Sequence, residues 1–141
     1  MFSDNYRTQL LDKPGIRFDS GPGTLALTAV FLTDPQRETE ALKVLQEARY
    51  IHALDTGQLS IVEKLLRDVG LTAAAELMSA NDAALLTANA ARMRKAQGLM
   101  QTFGAQGVPT LVIADENGSR LLRGDALYGS FDSLLSHIAA A

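Results

Sequence analysis

The segment Gly107-Val108-Pro109-Thr110, which leads into the apolar run Leu111 to Ile113, constrains the fold more than any other feature of this sequence. A short apolar run rich in β-branched residues is typical of a strand that is buried on both faces. Proline cannot donate to a strand ladder, so Pro109 belongs at a strand entrance or on an edge. A cis peptide bond would turn the chain sharply into the strand, and an ordinary trans proline is the alternative. In the context described below, we predict a cis bond between Val108 and Pro109.

A β-hairpin and a final helix are predicted after this segment. Asn117-Gly118 is a strong hairpin sequence, Arg120 to Leu122 forms the returning strand, and a bulge or bend is expected at Gly124. Ser130 is the expected N-cap of the last helix. A two-stranded hairpin is only marginally stable alone, although helices can cover it. The apolar profile of Leu111 to Ile113 is typical of a strand with neighbours on both sides. The apolar face of the last helix consists of Phe131, Leu134, Leu135 and Ile138.

Helical periodicity dominates the chain before that segment. Asp34 and Pro35 predict a helix start, Ser60 and Glu63 a capping box, and Asn81 an N-cap, while Ser20 is also interpreted as a helix cap. Glycines 70 and 104 are expected to end helices, the first in a left-handed conformation. The predicted helices cover about residues 24–32, 34–53, 60–69, 72–79 and 82–103.

The longest predicted helix carries one stripe of apolar residues at intervals of three and four. Such a stripe could line a groove for a ligand, but packing in the core is the favoured interpretation. The stripe consists of Leu86, Met93, Ala96, Met100 and Phe103.

The order of these features resembles the end of a thioredoxin fold, in which a cis-proline loop, two antiparallel strands and a last helix follow one another. The sequence from Ala48 to His52, then Asp55, then Ser60 to Leu71, resembles the helical insertion of DsbA-family proteins, and Asp19 to Pro22 resembles its entry. The FrnE-like and protein-disulfide isomerase members are the most similar branch. The resemblance covers about residues 16 to 139.

This resemblance implies an α/β, mostly helical chain with an incomplete thioredoxin-like fold. It implies a single truncated domain over residues 1–141, with the helical insertion at about 20–104 and a β-β-α ending at 105–141. In the family the cis-proline loop binds an extended peptide or protein substrate, which makes Val108, Pro109 and Thr110 the expected substrate-binding residues. The backbone of Val108 would pair with that substrate.

The sequence contains no cysteine. In the resembled family, a first strand, a Cys-x-x-Cys motif that opens a helix and a second strand precede the insertion, and thiolate chemistry depends on those cysteines. We therefore expect a thiol-disulfide oxidoreductase or protein-disulfide isomerase by family that is redox-inactive as it stands, with no catalytic residue in this chain. A non-catalytic binding or assembly module is the alternative. An isomerase of the glutathione-dependent kappa-class or hydroxychromene carboxylate type is a third, less favoured interpretation.

The sequence lacks the features expected of nucleic-acid-binding, membrane-spanning and metal-binding proteins. The net charge of −3 provides no positive field for nucleic acid, and the cluster Arg92, Arg94, Lys95 is interpreted as a solvated helix face. No apolar run is long enough to span a membrane and no signal peptide is recognisable, so a cytoplasmic protein is expected. His52 and His137 lack metal-ligand spacing, and we expect neither a metal nor a cofactor.

Two further expectations concern the surface of the chain. A joint site of Tyr50, His52 and Asp55 is disfavoured because positions 50 and 52 point to different helix faces. The strand at Leu111 to Ile113 would have an open edge, which favours a symmetric homodimer. The competing arrangement is a monomer in which residues 1–20 fold back, with Ile16 to Phe18 as a short strand.

Overall fold

The elements of the fold confirm the predicted class, a mostly helical α/β chain in which several helices precede one hairpin and a last helix. A computed structural model describes residues 3–16, 18–107, 110–116, 118–122 and 128–139. The chain divides into two units, residues 1–92 and residues 93–141. The elements are α1 (Asp4–Tyr6), α2 (Gly21–Thr33), α3 (Glu38–Tyr50), α4 (Leu59–Asp68), α5 (Thr72–Ser79), α6 (Ala83–Thr102), β1 (Leu111–Asp115), β2 (Gly118–Leu122) and α7 (Phe131–Ala139).

Helix α2 lies at the centre of the first unit and packs against α3, α4 and α5. Its small residues, Ala26 and Ala29, are fully buried, which lets neighbouring helices approach closely. The hydroxyl of the buried Thr28 donates to the carbonyl oxygen of Thr24 and contacts Oδ1 of Asn89 at 3.0 Å. The fully buried large apolar side chains of the core around α2 are Val30, Val62, Leu66, Met78 and Leu85.

The N-terminal segment is helical and packs against the end of α3, which the sequence did not predict. Helix α1 continues as a π-helical turn at Arg7–Leu11, and Tyr6 and Leu10 are buried. The hydroxyl of Ser3 donates to the carbonyl oxygen of Tyr50 at 2.8 Å, and the Tyr6 and Tyr50 rings meet edge to face at 5.2 Å. The segment therefore folds back as a helix. Ile16 and Phe18 lie in no strand, and Arg17 is outside the described residues.

Several helix boundaries differ from those predicted. The capping box at Ser60 and Glu63 is wrong: α4 begins one residue earlier with Gln58 at its N-cap, and Glu63 instead accepts a hydrogen bond from Ser79. Asp82, not Asn81, supplies the side-chain cap of α6, because its Oδ1 accepts from the amide of Leu85.

The structure confirms some of the remaining predicted helix caps and helix ends, but not all of them. Ser20 occupies the N-cap position of α2 without a side-chain bond, and Asp19 accepts from the amide of Gly21 instead. The Ser130 hydroxyl accepts from the amide of Ser133, as predicted for a cap. Positive φ values of 79° and 61° at Gly70 and Gly104 confirm the predicted left-handed end at Gly70 and a helix end at Gly104.

The packed face of α6 in the first unit lies one residue away from the predicted apolar stripe. Leu85 is fully buried, Asn89 contacts Thr28, and Arg92 donates to the carbonyl oxygen of Leu27 and pairs with Glu38. These three positions share a face at spacings of four and three residues. The prediction that the stripe packs in the core is wrong at Leu86, Met93 and Ala96, which are exposed, while Met100 and Phe103 are partly buried. In the first unit, hydrogen-bonding side chains take the packed positions instead. Leu86 and Met93 are 42% and 47% exposed.

The second unit contains the predicted hairpin. β1 and β2 pair antiparallel, with Leu111 opposite Leu122 and Asp115 opposite Gly118. The guanidinium of Arg120 on β2 donates to the carbonyl oxygens of His137 and Ile138, which ties the C-terminal end of α7 to the hairpin. Asn117 and Gly124 lie outside the described residues.

Candidate functional site

The predicted substrate-binding residues Val108, Pro109 and Thr110 are only partly described by the structure. Val108 and Pro109 lie outside the described residues, so the cis bond and the pairing of Val108 with a substrate stay predictions. Thr110 is half-buried, and its hydroxyl donates to the carbonyl oxygen of Gly107 at 2.6 Å. This bond ties together the residues on the two sides of the Val108-Pro109 pair.

Strand β1 follows Thr110 directly and pairs with β2 alone among the described residues. Leu111 is 45% exposed, and Val112 and Ile113 are only partly buried. The expected burial of this strand on both faces is therefore wrong for the described part of the chain, whereas its single strand neighbour agrees with the predicted open edge. Its second edge presents backbone N–H and C=O groups that another extended segment could pair with.

A cavity of about 350 Å³ opens in the first unit, between the first turn of α2 and the last turns of α3. This volume lies in the range of small-molecule sites, roughly 300–1,000 Å³. Aliphatic side chains form one wall and polar side chains the other. The lining residues are Phe18, Asp19, Ser20, Gly23, Thr24, Leu27, Leu42, Leu45, Gln46, Arg49, Tyr50 and Thr56.

Among the described residues, Arg49 is the only basic side chain that lines the cavity. The residue is 9% exposed, and its guanidinium lies 5.2 Å from the centre of the Phe18 ring. Its Nη1 contacts Oγ1 of Thr56 at 3.3 Å and lies 3.9 Å from Oδ1 of Asp55. The second distance is too long for a hydrogen bond, so Asp55 balances the charge of Arg49 without occupying its donors.

The start of α2 forms the opposite side of the cavity. The carboxylate of Asp19 accepts from the amide of Gly21 at 2.8 Å, and a Cβ at position 21 would lie 2.9 Å from that carboxylate oxygen, so a side chain there would displace the carboxylate. Pro22 fits the first turn because it has no N–H to satisfy. Gly23 faces open space, since a Cβ there would meet no atom within 4 Å. The Ser-Gly-Pro-Gly sequence thus leaves the helix end open towards the cavity.

Tyr50, His52 and Asp55 have different neighbours and form no joint site. Tyr50 packs against Tyr6, His52 is exposed, and Asp55 accepts from the amide of Gly57 and the side chain of Gln58. His137 contacts the carbonyl oxygen of Ser133 on its own helix. Within the described ranges, no three histidine or acidic side chains are grouped to hold a metal ion.

The sequence reasoning did not identify the cavity or Arg49. The sequence does place a basic residue directly after Ala48 on a helix whose buried face includes Ala41 and Leu45, and a cation there indicates a polar site at the edge of the core. Phe18 and Thr56 come from segments outside the helices, so no periodic pattern could connect them with Arg49. In the part of the chain that the structure describes, no helix is long and apolar enough to cross a membrane.

Comparison with solved structures shows similarity to disulfide-exchange proteins. The chain superposes on the cytosolic disulfide reductase DsbM from Pseudomonas aeruginosa with a TM-score of 0.81 at 26% identity, covering 100% of this chain and 69% of DsbM. The structure of DsbM with GSH gives a TM-score of 0.80 at 25% identity, covering 99% and 66%. A proposed protein disulfide isomerase from Nitrosomonas europaea gives 0.71 at 20% identity, covering 89% and 58%.

The chain thus spans about two thirds of the length of DsbM. No protein-family model matches the sequence. No curated protein matches it either.

Proposed function

Because the chain is a DsbA-family thioredoxin-like protein, we propose that it is a thiol-disulfide oxidoreductase or protein-disulfide isomerase family member whose Cys-x-x-Cys segment is not among these 141 residues. As it stands, the chain is redox-inactive. One observation carries the proposal: the superposition on DsbM extends over the whole chain, yet the sequence contains no cysteine.

The absence of sulfur nucleophiles dictates the inactivity. Disulfide exchange begins with a thiolate that attacks one sulfur of a disulfide, forms a mixed disulfide and releases the other sulfur as a thiolate. The four methionines have thioether sulfurs, which carry no ionisable proton and cannot attack in this way. What remains is the surface that holds the substrate, which we assign to Val108, Pro109 and Thr110. The likeness to a cytosolic reductase supports a cytoplasmic location.

The exposed strand β1 supports a second candidate function, a non-catalytic binding or assembly module. Within the described residues β1 has one strand neighbour, and the Thr110 bond to Gly107 shapes the loop that leads into it. An extended peptide that adds to this edge would gain main-chain hydrogen bonds. The same edge on a second copy of the chain would give a symmetric homodimer.

Refolding of scrambled ribonuclease A tests the primary proposal. The chain should restore ribonuclease activity no faster than buffer, with P. aeruginosa DsbM run as the comparison protein under the same thiol conditions. Catalysed refolding by a preparation free of contaminating oxidoreductases would contradict the proposal.

Peptide binding tests the second candidate. Titration with an unfolded, cysteine-free peptide should shift the amide resonances of Val112 and Ala114, whose N–H groups face the open edge, if the β1 edge binds extended chains. A proline substitution at Val112 removes a backbone donor from β1, and the matched substitution at Ser119 removes one from β2. Binding that survives both changes would exclude the sheet edge as the binding surface.

A further inference from the structure

We propose that the cavity between α2 and α3 binds a small organic carboxylate with an aliphatic body, held by the guanidinium of Arg49. The carboxylate would bind Arg49, and the aliphatic part would lie on Leu27, Leu42 and Leu45. This inference goes beyond the proposed function because it needs neither a thiol nor the cis-proline loop. The two proposals can therefore fail independently.

The hydrogen bonding of Arg49 points to an anionic ligand. A guanidinium has five N–H donors, and among the described residues those of Arg49 make one hydrogen bond, a long one of 3.3 Å from Nη1 to Thr56. The residue is 9% exposed, so its charge is largely removed from bulk water, and an additional anionic partner is favourable there. A carboxylate would accept two parallel hydrogen bonds from the guanidinium, which is the strongest pairing available to arginine.

Asp55 is poorly placed to take this role itself. Its Oδ1 accepts from the amide of Gly57 at 3.2 Å and its Oδ2 from Gln58 at 2.9 Å, so both oxygens serve the loop after α3. Because Nη1 of Arg49 lies 3.9 Å from Oδ1 of Asp55, the guanidinium can still donate a charge-assisted hydrogen bond to another, closer acceptor. Phe18, which is 67% exposed, covers the outer face of the guanidinium.

The charges around the cavity and its aliphatic wall limit which chemical groups a ligand can carry. The N-terminal end of α2 favours a negative group, and Gly23 leaves the approach to it open. The carboxylate of Asp19 lies on the rim, where it accepts a hydrogen bond and disfavours a second negative charge. A ligand with one carboxylate, an N–H donor and a branched aliphatic group satisfies Arg49, Asp19 and the leucine wall together. N-acylated aliphatic amino acids have this chemistry.

The test compares N-acetyl-L-leucine with N-acetyl-L-leucinamide, which has nearly the same shape but no charge. Titrations of the isotope-labelled chain, followed by amide resonances, should show the carboxylate binding about 10-fold to 100-fold more tightly than the amide, as expected for a charge-assisted pair. Resonances of Gly23, Thr24 and Thr56 should shift. Equal binding of the two compounds, or no shift at the cavity, would overturn the proposal.

Two variants locate the binding to this cavity. Arg49→Met should remove the preference for the carboxylate, while Arg94→Met, at an exposed position of α6, should leave it unchanged. Because loss of a buried arginine can destabilise the fold, Gly23→Glu provides a second test. A Cβ fits there, an acidic residue suits the start of a helix, and the new carboxylate repels the ligand. Gly98→Glu is its matched control. Unchanged carboxylate binding by Gly23→Glu would refute the site.

Discussion

Substitution of Leu66 by alanine tests the packing of α4 against the core. Leu66 has no exposed surface and belongs to the cluster built around α2. The substitution removes three buried carbon atoms, which costs about 2.4 kcal/mol at about 0.8 kcal/mol each. The cavity left behind adds about 1 kcal/mol because neighbouring side chains relax only in part. The free energy of unfolding should therefore fall by about 3 to 4 kcal/mol.

Urea unfolding followed by far-UV circular dichroism measures this loss. Leu59→Ala is the matched control, because Leu59 lies on the same helix and is 41% exposed. The control should lower the free energy of unfolding by less than about 1 kcal/mol. Near-UV circular dichroism of the tyrosines, which include the Tyr6–Tyr50 pair, reports whether the tertiary packing is lost in the same transition. Similar losses for Leu66→Ala and Leu59→Ala would refute the assignment of Leu66 to the core.

Three further predictions follow from local geometry and from the sheet edge. Gly70→Ala should lower the free energy of unfolding in urea by about 1 kcal/mol, because Gly70 has a φ of 79°. Gly98→Ala, in the interior of α6, should raise the free energy of unfolding by about 0.5 to 1 kcal/mol. Open space surrounds both positions, so destabilisation by both substitutions would contradict the argument from φ. The hydrogen bonds from Arg37 lower the pKa of Glu40. The free energy of unfolding should therefore exceed that of Glu40→Gln above the ordinary pKa of 4.5, and this difference should disappear as pH falls through the lower folded-state pKa. A difference that grows towards acid pH would contradict the predicted direction. Sedimentation equilibrium at micromolar concentration should show a dimer formed through the edge of Leu111–Asp115, and a strictly monomeric, cooperatively folding chain would exclude it.

The sequence predicted those elements in which local pattern and tertiary packing agree. The hairpin follows from an apolar strand next to Asn117-Gly118, and the end of α4 follows from Gly70, because these signals act within a few residues. The family resemblance rested on the order of such elements, and the superposition on DsbM supports it. Over α1 and the π-helical turn that follows it, the described residues include two buried side chains, Tyr6 and Leu10. The segment depends on distant contacts at Tyr50, so no local pattern could reveal it.

Prediction failed where polar side chains replace apolar ones in the packing. The face of α6 that packs in the first unit uses Asn89 and Arg92 beside Leu85, and hydrophobic periodicity does not detect such residues. The cavity was missed for a related reason. Arg49 is adjacent to the buried face of α3, while Phe18 and Thr56 come from loops before and after the helices, and only the folded chain brings them together.

Reduction of insulin disulfides by glutathione is the most direct test of the central claim, that this chain has the fold of a disulfide oxidoreductase without its chemistry. The initial rate is measured over a series of chain concentrations, with P. aeruginosa DsbM as the positive control. The account predicts that the rate is independent of the concentration of this chain, since no thiolate is available to attack the disulfide. A rate that rises in proportion to the chain, in a preparation free of other oxidoreductases, would contradict it.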